Sequence, residues 1–156
     1  MIRQLLCLSL FLTAAAALVQ AQQKPDFSGT WKLNVAKSDY GVIPGPSSRT
    51  DVITQKEPGV TVHVTAEGDQ GKMDYMVNYS TDGKEVTNKV GDFESKSTAK
   101  WEGNNLVVNS KFKFNDMDVT GVATWTLSAD SKTLNINVTY TSAMGEAAQK
   151  FVYEKQ

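Results

Sequence analysis

From Thr30 to the C-terminus, polar and apolar residues alternate with a period of two, and the alternating runs stop at clusters of Gly, Asn, Asp, Ser or Pro. Successive side chains of a β-strand point to opposite faces, so this pattern writes one wet face and one dry face along an extended chain. It is clearest where Leu106, Val108, Ser110, Phe112 and Phe114 oppose Val107, Asn109, Lys111 and Lys113. Leu134, Ile136, Val138 and Tyr140 form a second inward row, and Val60, Val62 and Val64 a third. The alternation predicts strands near 29–35, 51–57, 60–67, 72–79, 84–90, 94–102, 106–114, 117–128, 133–143 and 146–155.

The connectors are too short for anything but hairpins. Pro58-Gly59, Asp82-Gly83, Gly91-Asp92 and Asn115-Asp116 supply residues that tolerate the positive φ of tight reversals. A parallel crossover needs about a dozen residues or more, so the strands are expected antiparallel and up-and-down. A sheet with one dry face has two unpaired edges, and closing on itself removes both. The expected fold is therefore all-β, an up-and-down antiparallel β-barrel of about 8 to 10 strands. A two-sheet sandwich would show the same alternation. Only 36–50 departs from the pattern, and its two prolines and two glycines, Gly41, Pro44, Gly45 and Pro46, argue against a helix there.

The N-terminus is of another kind. Arg3, the apolar run 5–18 and the small residues around Ala21 read as a signal peptide over 1–21, cleaved before a single domain over 22–156. The run is shorter than the about 20 apolar residues of a spanning helix, so no membrane span is expected after cleavage. The expected location is exported, periplasmic or extracellular. Cys7 leaves with the leader, so the remaining 135 residues hold no cysteine and no disulfide or thiolate site. Without Arg3 the chain has 15 basic and 17 acidic residues, a net −2, which attracts neither nucleic acid nor an anionic membrane. A chain of this length buries enough core to stand as one domain, and a monomer is expected.

Residues suited to catalysis are scarce. His63 is the only histidine and shares a row with Thr61 and Thr65, whereas a zinc site needs several converging ligands. No nucleophile motif accompanies it, so no catalytic residue, metal or cofactor is expected. Asp69, Asp74, Asp82, Glu85, Asp92 and Glu94 sit in turns or outward rows and read as a solvated surface. The informative side chains are the inward aromatics. Tyr75, Tyr79, Phe112, Trp125, Tyr140, Phe151 and Tyr153, with Ser97, are the candidate contacts for a small hydrophobic or neutral amphipathic ligand. Ser95, Ala99, Ser110, Gly121 and Ala123 on the same face would leave it space. The competing reading is a barrel filled by its own side chains, a module whose 43–48 loop meets a protein partner. An enzyme working through tyrosine and carboxylate groups is the third.

The stretch Phe27-Ser28-Gly29-Thr30-Trp31-Lys32-Leu33 resembles the Gly-x-Trp first strand of the calycins, the lipocalin and fatty-acid-binding-protein superfamily. Residues 96–107 resemble a central hairpin of fatty-acid-binding proteins, and Val152-Tyr153-Glu154-Lys155 their last strand. The helix pair those proteins carry between strands one and two has no counterpart, so the chain looks more like bacterial lipocalin-like domains without a helical lid. The resemblance implies a structural role for Gly29 and Trp31 at the barrel base. It also implies a carboxylate-binding group of two arginines and a tyrosine, of which only the tyrosine is matched, by Tyr153. The arginine positions fall on Phe151 and near Trp125. Arg49, the only arginine after the leader, lies in the irregular segment, so a buried guanidinium fork is expected to be absent.

Overall fold

The computed structural model describes residues 23–69 and 71–156; the expected signal peptide over 1–21 lies outside them. Ten strands follow one another: β1 (Gly29–Leu33), β2 (Ser48–Lys56), β3 (Gly59–Gly68), β4 (Gly71–Ser80), β5 (Val86–Val90), β6 (Phe93–Glu102), β7 (Asn105–Phe114), β8 (Met117–Leu127), β9 (Thr133–Ser142) and β10 (Gly145–Lys155). They form one sheet in the order β4-β3-β2-β1-β10-β9-β8-β7-β6-β5. Every ladder is antiparallel, and the first strand pairs the last, Trp31 opposite Lys155 and Leu33 opposite Tyr153. A single continuous sheet curled until its ends meet is a barrel, which excludes the sandwich. No α-helix occurs among the described residues, and the sole helical turn is a 3-10 turn at Val35–Lys37. No helix among them is long and apolar enough to cross a membrane.

The turns carry the expected chemistry. Between β7 and β8, Asn115 and Asp116 both take positive φ, 49° and 64°, the pair of left-handed residues that a two-residue hairpin requires. These turns sort the barrel into two ends. The connections 57–58, 81–85, 103–104 and 128–132 lie with the N-terminal segment at one end; 34–47, the turn after Gly68, 91–92, 115–116 and 143–144 lie at the other.

The first end is closed. Phe27 is fully buried there, its ring stacked on Trp101 and edge-on to Trp125 at 5.7 Å in both cases. The Trp31 indole Nε1–H donates to the Phe27 carbonyl at 2.8 Å, and the Phe27 N–H donates to Gln55 Oε1 at 3.0 Å. Gly29 takes φ of +137° beneath Trp31, a backbone conformation that side chains disfavour, so the glycine of the Gly-x-Trp start is required by the backbone itself. Leu106, Leu134 and Val60 complete this floor, all essentially inaccessible.

The sheet edges β4 and β5 meet without a backbone ladder between them. One buried side chain replaces it. The Asn78 backbone N–H donates to Asn88 Oδ1 at 2.7 Å, and Asn88 Nδ2 donates to the Asn78 carbonyl at 2.9 Å. The carboxamide thus imitates a peptide unit and satisfies both edge groups of Asn78.

Two expectations need correction. Phe114 was placed on the inward row, but that row runs past the rim and the ring is 59 % exposed. The irregular segment is also shorter than its composition suggests: β2 begins at Ser48, which puts Arg49 on a strand.

Replacing Asn88 with Ala removes both seam bonds and leaves the Asn78 peptide groups unpaired in a semi-buried groove. The expected result is a loss of about 1–3 kcal/mol in urea unfolding, with faster hydrogen exchange at the Asn78 amide and little change at Val62 in the adjoining ladder.

Candidate ligand site

The interior of the barrel is filled at one end and hollow at the other. Toward the open end lies a cavity of about 560 Å³. Its existence follows from cross-strand register. Ser110 on β7 stands opposite Gly121 on β8, and Val108 opposite Ala123, so small residues of neighbouring strands lie side by side and no large ring crosses the space. Gly121 in turn faces Tyr140, whose ring lies 3.2 Å from where a Cβ would sit. A side chain at 121 would press against that ring.

Tyr75, Tyr79, Phe112, Trp125, Tyr140, Phe151 and Tyr153 all line the cavity, together with Ser95, Ser110, Gly121 and Ala123. Ser97 does not. It is buried behind the wall, its hydroxyl sharing a 2.8 Å hydrogen bond with that of Ser110, and Ala99 packs into the core below. The aromatic rings brace one another: Phe112 is edge-on to Tyr140 at 6.1 Å and tilted against Phe93 at 5.1 Å, and Tyr79 is edge-on to Trp125 at 5.8 Å. Phe93, Met73 and Val90 stand at the mouth, beside the unpaired upper part of the β4/β5 seam.

The residue missed in the sequence is Arg49. On β2 the inward row reads Arg49, Asp51, Ile53 and Gln55, and Asp51 and Ile53 are buried. Arg49 Nε donates to Asp51 Oδ1 at 2.7 Å and Nη2 to Oδ2 at 2.9 Å, a two-pronged ion pair inside the barrel. The guanidinium lies 5.9 Å from the ring centroids of both Phe151 and Tyr153. About 23 % of the Arg49 side chain stays accessible, and among the described residues it is the only charged one lining the cavity. The signal was present in the alternation: with Ile53 facing inward, period two carries Asp51 and Arg49 to the same face. The absence of a buried guanidinium, expected from the apparent loop, is overturned, although the guanidinium comes from β2 and not from the positions of Phe151 or Trp125.

The electrostatics of the cavity follow from burial. Desolvation opposes the Arg49 charge, but the neighbouring Tyr153 and Asp51 more than offset it and hold the group well above its usual range. Burial pushes the Tyr79 phenol up to about 12, and burial also raises Tyr140 and Tyr153, the latter further through Asp51. These phenols are neutral hydrogen-bonding groups at any ordinary pH. His63 points outward and pairs with Asp74 at 2.8 Å. Among the described residues no three His, Cys, Asp or Glu side chains gather as a metal site.

No protein-family model matches this chain. No curated protein matches it by sequence. Solved structures do resemble it. Zebrafish ileal bile acid-binding protein, crystallised with cholic acid, is 19 % identical, with 83 % of this chain and 98 % of that one covered at a TM-score of 0.58. A secretory abundant heat soluble protein from Ramazzottius varieornatus is 16 % identical over 83 % of this chain and 95 % of that one, TM-score 0.59. The fatty-acid-binding protein of Manduca sexta is 18 % identical over 83 % and 99 %, TM-score 0.50. The fold is thus a calycin-like ten-stranded barrel, here without a helical lid.

Because the folded chain holds the protons of Tyr79, Tyr140 and Tyr153 more tightly than an unfolded chain, the unfolded state deprotonates first as pH rises. Their contribution to stability is complete below about pH 10 and declines from there toward the folded pKa of Tyr79, about 12. Urea midpoints should therefore be level through neutral pH and fall above it, while phenolate absorbance shows a fraction of tyrosines that titrates only as the protein unfolds.

Proposed function

We propose that this chain is an exported, non-enzymatic binding protein that holds one small hydrophobic or neutral amphipathic molecule inside its barrel. The observation that carries this reading is the 560 Å³ cavity walled by aromatic and small side chains. Cavities of roughly 300–1,000 Å³, mostly apolar with a few placed polar groups, are the usual form of small-molecule sites. The similar structures named for bile-acid and fatty-acid binding support the same class. Burial of the ligand's apolar surface drives binding at ~25 cal/mol per Å², and the tyrosine hydroxyls and Arg49 orient it.

The leader-like 1–21 segment supports action in the periplasm or outside the cell. That similar structures are named for binding small molecules supports binding without turnover. The alternative of a protein-interaction module rested on a filled barrel, and the hollow half weighs against it.

Titration of the native protein with hydrophobic fluorophores should quench Trp125 emission saturably at one site per chain. Ala123→Phe, which places a ring in the cavity, should weaken binding about tenfold or more while leaving the unfolding midpoint nearly unchanged. A native protein that saturates with no member of a broad hydrophobic panel, or an Ala123→Phe variant that binds as well as the native chain, removes the reading.

A further inference from the structure

We propose that the occupant of this cavity presents a neutral hydrogen-bond acceptor, the carbonyl of an amide, ester or ketone, and that Asp51 enforces this choice by neutralising Arg49. The proposal rests on the cavity being a ligand site and names the chemistry of the ligand's polar end.

The argument starts from the charge inside the barrel. Among the described residues Arg49 is the only charged group lining the cavity, and in isolation it would favour an anion. It is not isolated. Asp51, 3 % exposed, takes both oxygens' worth of its hydrogen bonds at 2.7 and 2.9 Å, and the pair is held in register because residues two apart on β2 face the same way. The pair sums to zero. A carboxylate entering beside it would leave a net negative charge in a largely desolvated space, the arrangement that buried ion pairs tolerate least.

Hydrogen-bonding capacity leads to the same conclusion. Arg49 spends Nε and Nη2 on Asp51, and Nη1 has no hydrogen-bond partner among the described residues. The Tyr40 ring packs on Phe151 at 5.6 Å, and its hydroxyl, buried and turned toward Ser38, lies within the field of the same guanidinium. The hydroxyls of Ser97 and Ser110, by contrast, already share a hydrogen bond. The tyrosine hydroxyls of the wall can donate or accept, but the unspent Arg49 Nη1 can only donate, so a ligand that completes it brings an acceptor. An uncharged acceptor completes it without unbalancing the ion pair.

The test uses two probes, a dansyl-tagged undecanoyl chain ending in a carboxylate and the same chain ending in a primary amide, titrated at neutral pH with the full folded domain. The native protein should bind the amide about tenfold or more tightly than the carboxylate. Asp51→Asn keeps the shape and one acceptor but frees the Arg49 charge, so carboxylate affinity should rise about tenfold while the amide changes by less than about threefold. Should that variant not fold, the apolar double variant Arg49→Met with Asp51→Leu decides, because it should still bind the amide but about tenfold more weakly, the donor having gone. A native protein that binds the carboxylate as tightly as the amide, or a double variant that binds the amide undiminished, overturns the proposal while leaving the cavity as a ligand site. Binding of neither probe to the native protein overturns both readings.

Discussion

A sheet that is greasy on one face and hydrated on the other must cover its greasy face, and in this molecule it does so by curling until its ends meet, the constraint on which the rest of the structure depends. On one side the closure is ordinary ladder, with β1 set between β2 and β10. On the other side, where β4 and β5 diverge, it comes down to the carboxamide of Asn88 holding both peptide groups of Asn78. Above that point the two strands have no ladder, and the mouth of the cavity lies there, between Met73 and Tyr75 on one strand and Val90 with Phe93 on the other side. The same incompleteness that weakens the seam leaves room for a path to the interior.

The two halves of the interior serve different ends. At the closed end Phe27 packs its ring on Trp101 and Trp125 in one core with Trp31, Leu106 and Leu134, and this is where apolar burial stabilises the fold. Phe27 reaches this position from outside the sheet, brought in by the polar ties of Gln55 to its N–H and to the Pro25 carbonyl. Toward the open end the inward positions of β6, β7 and β8 include Ser95, Ser110, Gly121 and Ala123, which contribute little burial. A floor packed this densely lets the opposite end remain hollow without loss of the fold.

Within that hollow, the Arg49–Asp51 pair is the feature whose expense calls for a reason. Replacing such a pair by apolar residues is often neutral or stabilising, so its presence in a barrel wall speaks for recognition more than for stability. It gives an otherwise apolar cavity a polar end with a defined direction, framed by Phe151 and Tyr153. The surface ion pairs, such as Lys84 with Asp82 or Lys89 with Glu94, are exposed and screened, and carry no comparable meaning.

Period-two alternation and hairpin chemistry determined the ten strands, their antiparallel order and the rows that face inward, because these depend only on local backbone geometry and on which side chains avoid water. The inward orientation of Tyr75, Tyr79, Phe112, Trp125, Tyr140, Phe151 and Tyr153 was legible for the same reason. Arg49 was hidden by its neighbours: the prolines and glycines before it look like loop, and a lone arginine at a strand's first turn reads as solvated until Asp51 is seen buried on the same row. Only tertiary structure decided that the interior is half filled and half open. That outcome depends on which residues of different strands come abreast, Ser110 beside Gly121 and Val108 beside Ala123, and cross-strand register is a property of the closed barrel, not of any single run of sequence.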